Sequence, residues 1–110
     1  MSEEKGRRAK VRLVSKRINY LNIEFFDKLI SCAVINLSLG GVMIKLPYDM
    51  TSLPIEVGMT IVFKNTPEKY KIYLEGKSAT VAWYQNAMCG LSFEEELPLT
   101  NEELQDLLNS

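Results

Sequence analysis

Two short patterns in this 110-residue chain carry groups suited to holding an anion. Arg8-Ala9-Lys10-Val11-Arg12 sets two guanidiniums four residues apart, where they can reach the same side of a helical or bent segment. A guanidinium offers planar, paired donors that match phosphate oxygens or a guanine edge, and it stacks on flat bases. Asn36-Leu37-Ser38-Leu39-Gly40-Gly41 is the second pattern, an NxSxxG spacing between two apolar runs. Asn and Ser hydrogen-bond nearby backbone and suit tight turns. Two glycines permit positive φ and let a ligand come close to the backbone. Alone, the first pattern also fits a solvated basic tail, and the second also fits an ordinary hairpin turn.

Charge narrows the choice. Residues 1–20 hold seven basic and two acidic side chains, a net +5, whereas residues 21–110 hold six basic and twelve acidic ones, a net −6. An acidic body with a basic arm points to one local anion site rather than to a broad nucleic-acid surface. The chain has no histidine, so the usual general base and the commonest metal ligand are missing. Cys32 and Cys89 sit singly in apolar runs and read as small buried hydrophobes. Glu94-Glu95-Glu96 reads as a solvated face, since consecutive carboxylates diverge along an extended chain. Trp83, Tyr84, Tyr70, Tyr73 and Tyr20 could form a base-stacking surface but fit core or rim packing better. No apolar stretch is long enough to span a bilayer and the start of the chain is charged, so no membrane insertion and a cytoplasmic location are expected.

The elements that would position these residues are mostly strands. Leu21, Ile23 and Phe25 alternate with polar residues within Ile18 to Phe25. After a turn at Phe26-Asp27-Lys28, Leu29 to Ile35 is β-prone, and the NxSxxG segment then interrupts as a turn. Val42 to Leu46 is a strand stopped by Pro47, and Pro47 to Gly58 is a long connection. Thr60 to Lys64 is a strand, Asn65 to Glu68 a loop, and Lys71 to Gln85 a long β-like run broken near Gly76. Asn86-Ala87 turns into a last strand, Met88 to Phe93. Thr100 with Glu103 forms a capping box, and Leu104, Leu107 and Leu108 share a helical face. The expected fold is all-β, a small antiparallel barrel or sandwich with a short C-terminal helix. Three regions follow: a flexible basic arm over 1–15, a β-domain over 16–98 and a helix over 99–110.

Taken together, RxxxR and NxSxxG resemble the PilZ family, whose pattern is RxxxR followed by Asp or Asn, x, Ser, x, x, Gly. Val81-Ala82-Trp83 and Gly90-Leu91-Ser92-Phe93 resemble the family's late strand pair, so the likeness spans roughly residues 7–95. The resemblance implies a six-stranded antiparallel split barrel that binds cyclic di-GMP and has no enzymatic activity. It also implies that Arg8 and Arg12 grip phosphate and guanine from the arm, with Arg7 or Lys10 as auxiliary contacts. Asn36, Ser38, Gly40 and Gly41 would meet the ligand from the barrel. The nucleotide would be the ligand of a switch, no cofactor is implied, and a downstream protein effector would read the altered surface. Motility, exopolysaccharide or pilus control, in biofilm-related signalling, would be the setting. A nucleotide-independent adaptor of the same fold is the alternative.

Overall fold

The computed structural model describes Leu13, residues 18–47 and residues 53–110. Six antiparallel strands close into a barrel: β1 (Asn19–Phe25), β2 (Lys28–Ser38), β3 (Gly41–Lys45), β4 (Thr60–Phe63), β5 (Ser78–Gln85) and β6 (Met88–Phe93), in the order β1-β2-β3-β6-β5-β4. Two helices complete it, α1 (Glu68–Leu74) and α2 (Asn101–Asn109). The barrel is therefore the form that the strand pattern takes, rather than a sandwich. Closure rests on a short β1–β4 contact, Ile23 opposite Phe63 and Glu24 opposite Val62.

Alternation along each strand fills the interior. Leu21, Ile23 and Phe25 of β1 are buried with Ile30, Cys32 and Leu37 of β2 and with Val42 and Ile44 of β3. Phe63 of β4 meets Phe93 of β6 edge to face, 5.9 Å between ring centres. Both cysteines are buried and unbridged, as their apolar surroundings suggest. The hairpin turns between β1 and β2 and between β5 and β6 are two residues long. Phe26-Asp27 and Asn86-Ala87 all take positive φ, the twist that matches the flanking strands.

One element departs from expectation. Lys71 to Gln85 is not one β-like run, because Glu68–Leu74 is helical and the strand starts only at Ser78. Tyr70, Ile72 and Leu74 alternate as a strand would, yet Tyr70 and Leu74 alone are buried and Ile72 is 80% exposed. The i, i+4 pair, one helical turn apart, outweighs the period of two. Gly76, at φ +76°, ends the helix in the left-handed conformation. The break expected there is real, but it separates a helix from a strand.

Both helices cover the region where β1 runs past the short β4. Asn19 of β1 accepts a hydrogen bond from the Tyr70 hydroxyl at 2.9 Å and donates to the Leu108 carbonyl at 3.4 Å. The buried amide thus ties α1 and α2 to the barrel wall, and its polar atoms are not left without partners. Thr100 caps α2 in a complete capping box with Glu103, as the spacing indicates.

Candidate functional site

Asn36 and Ser38 lie on β2 itself, not on a turn; the turn is Leu39-Gly40, closed by the Ser38–Gly41 pair. In β2 the inward residues begin as Ile30 and Cys32, a series that by strict alternation would carry Asn36 and Ser38 into the core. The register instead shifts between Val34 and Asn36. This bulge at Ile35 adds one residue and exchanges the faces of all that follow. Leu37 turns inward and is 1% exposed, and Asn36 and Ser38 turn outward.

The same device recurs across the barrel. Ala79 and Val81 of β5 are buried, but a register shift between Val81 and Trp83 reverses the alternation. Tyr84 packs against the core, and Trp83 faces out. The strand registers then align Asn36, Met43, Gly90 and Trp83 in one outward row over β2, β3, β6 and β5. The next outward row is Ser38, Gly41, Ser92 and Thr80. At about 4.8 Å per strand the row from Asn36 to Trp83 spans roughly 14 Å.

Glycines make the rows concave. A Cβ on Gly90 would sit within the Trp83 indole, 2.6 Å from its Cδ1, so the ring rests directly on the β6 backbone. A Cβ on Gly41 would strike the Leu91 carbonyl oxygen of β6. Gly41 is not in the left-handed region, so close strand approach, rather than a special φ, is what requires glycine here. The result is a groove of about 230 Å³ lined by Asn36, Ser38, Gly40, Gly41, Met43 and Trp83, among others. The Ser38 hydroxyl donates to the Gly41 carbonyl at 3.2 Å, and the Asn36 amide reaches the Met43 sulfur at 3.8 Å. Among the described residues the Asn36 side-chain amide meets only the Met43 thioether, a weak acceptor. The site can thus offer amide and hydroxyl groups beside an aromatic face.

Arg7, Arg8, Lys10 and Arg12 lie outside the described residues, as does the flexible arm expected over 1–15 except at Leu13. Their attachment point is described. Leu13 pairs antiparallel with Leu37, with N–H to carbonyl distances of 2.7 and 2.9 Å in the two directions. Arg8 is five residues from Leu13, within a covalent reach of about 17 Å. Leu13 is anchored one position from Ser38.

Sequence reasoning gave Trp83 a core or rim role and did not join it to Asn36 and Ser38. The broken alternation Ile30, Cys32, Leu37 and the pairing of a lone Trp with a later Gly were the available signals. Tyr70 is core and Tyr20 is exposed, so the five aromatics form no single surface. Among the described residues no cluster of His, Cys, Asp or Glu is arranged to hold a metal, and no helix is long and apolar enough to cross a membrane. A family model described as PilZ domain matches residues 6–110. No curated protein matches the chain significantly.

Proposed function

Because the chain belongs to the PilZ domain family, whose members are binding and adaptor domains, we propose that it binds cyclic di-GMP at the Asn36–Trp83 groove and acts as a ligand-responsive effector. The observation that carries this reading is the outward row of Asn36, Met43, Gly90 and Trp83, with glycine beneath the indole and Leu13 anchored beside it. A cyclic dinucleotide presents flat bases and two phosphodiesters. Trp83 supplies a stacking face, worth about 1–3 kcal/mol per base. Asn36 and Ser38 supply hydrogen bonds to a base edge or a phosphate, beside the backbone of Gly40 and Gly41. At about 230 Å³ the groove is smaller than the roughly 300–1,000 Å³ of a site that encloses a ligand of this size. The remaining contacts fall to Arg8 and Arg12, with Arg7 as an auxiliary. Ligand binding would then fix the basic segment against the barrel, and the changed surface is what a partner protein reads. Catalysis has no part in this reading.

Calorimetry tests it. Cyclic di-GMP is expected to bind with a micromolar or smaller Kd, about −8 kcal/mol or better. Arg8→Ala and Arg12→Ala should each weaken binding by about 1.5–3 kcal/mol while leaving thermal unfolding unchanged. Absence of heat and of any Tm shift at high nucleotide concentration would reject nucleotide binding and leave the adaptor alternative.

A further inference from the structure

On another face the barrel carries a larger groove, about 700 Å³, between α1 and the segment that follows β6. Tyr73, Phe93 and Leu97 give it apolar walls, and exposed Glu94, Glu95 and Glu96 form its rim. A second hollow of about 380 Å³ continues past Tyr73 to Leu99 and Leu107, beside Glu103 and Asp106. Among the described residues, five carboxylates and one cation, Lys77, line the two hollows. An apolar trough of this kind with a one-signed border is arranged for an elongated ligand of opposite charge. Phosphate-bearing ligands would meet repulsion there.

We propose that this trough is the effector surface, and that its occupant is a lysine- or arginine-bearing segment of a partner protein that seats aliphatic side chains against Tyr73, Phe93 and Leu99. The proposal extends the effector half of the reading above and does not depend on nucleotide binding. Charge complementarity selects a basic segment, and the paired hollows, which meet at Tyr73, select an extended one. The arginines among residues 1–12 are already proposed for the Asn36–Trp83 groove, which leaves the trough for a partner. The rim is also wired to the first site. Phe93 N–H donates to the Gly40 carbonyl at 2.9 Å, and Leu97 N–H donates to the Leu39 carbonyl at 2.8 Å. Movement of the Leu39-Gly40 turn therefore moves the wall that bears the three glutamates.

The test is an NMR titration of the ¹⁵N-labelled full chain with a blocked hexapeptide of alternating lysine and leucine. A glutamate–leucine hexapeptide serves as control. The expected result is submillimolar binding of the basic peptide alone, with amide shifts confined to residues 73–78 and 93–107. Replacing all three rim acids (Glu94→Gln, Glu95→Gln, Glu96→Gln) should weaken the peptide about tenfold, and Tyr73→Ala should weaken it separately. Cyclic di-GMP calorimetry on the triple variant should be unchanged, which separates failure here from failure of the nucleotide reading. Shifts mapping elsewhere, or equal binding by the triple variant or by the acidic peptide, would overturn the proposal. So would trough shifts on removal of residues 1–12 without peptide, which would assign the trough to this chain's own segment. Trough shifts that grow with protein concentration would assign it to a second copy and overturn it likewise.

Discussion

Gly90 shows how one missing methyl group shapes a surface. Its backbone is the seat of the Trp83 ring, so Gly90→Ala must push the indole away while the inward neighbours Cys89 and Leu91 keep their places. Trp83 is the one tryptophan in the chain, which makes its emission a direct reporter. Gly90→Ala is expected to shift that emission to longer wavelength and to weaken cyclic di-GMP by about 1–3 kcal/mol, the scale of one lost base stack. Fluorescence and calorimetry on the same sample check both. An unchanged emission spectrum would mean the ring does not rest on Gly90. Asn36, Ser38 and Gly41 were legible as a pattern because their types and spacing are local. Trp83 and Gly90 were not legible as their companions, since they join the row through two strand registers that no local spacing encodes.

At the scale of elements, the bulges at Ile35 and Ala82 decide what faces the groove. Each adds one residue and so converts a position that alternation would bury into one that faces outward. The strands themselves could be read from apolar alternation and turn residues, and five of the six lie close to where that reading puts them. α1 could not, because Tyr70, Ile72 and Leu74 satisfy a strand period and a helix period at once. Burial of Tyr70 and Leu74 settles the matter, and the Tyr70 hydroxyl bonds Asn19 across 51 residues of sequence. α2, by contrast, announces itself through its capping box. Thr100→Ala removes the hydroxyl that accepts from Glu103 N–H at 3.0 Å and should cost about 1 kcal/mol. Urea unfolding followed by circular dichroism measures it. Because Leu104 and Leu108 of α2 are fully buried, the loss should appear as global destabilisation rather than as fraying.

At the scale of the whole molecule, the core holds, among the described residues, three protons that high pH must remove. Burial pushes the Cys32 thiol up to about 12, with the neighbouring Cys89 adding to the shift. It pushes Cys89 to about 11 and the Tyr70 hydroxyl to about 12. Each group is neutral when protonated, and its folded value lies above the ordinary value of 9.0 or 10.0. Between those values the unfolded chain has released protons that the folded chain retains, so stability falls as pH rises. The contribution is whole below pH 9 and is lost through the window from 9 to 12. Denaturant midpoints taken in steps from pH 8 to 11 should decline steadily. Cys89→Ala should reduce the slope in the lower part of that window; an unchanged slope would show that this thiol does not titrate with unfolding.

The pairing of Leu13 with Leu37 has a consequence for the barrel's integrity. Among the described residues β1 pairs with β2 only as far as Val34, so the last residues of β2 run past that neighbour and offer a backbone edge. Such edges are templates on which other chains can add a strand. In this protein the template is occupied from within, by the residue that precedes the rest of the fold. Its two backbone bonds to Leu37 deny that edge to foreign strands.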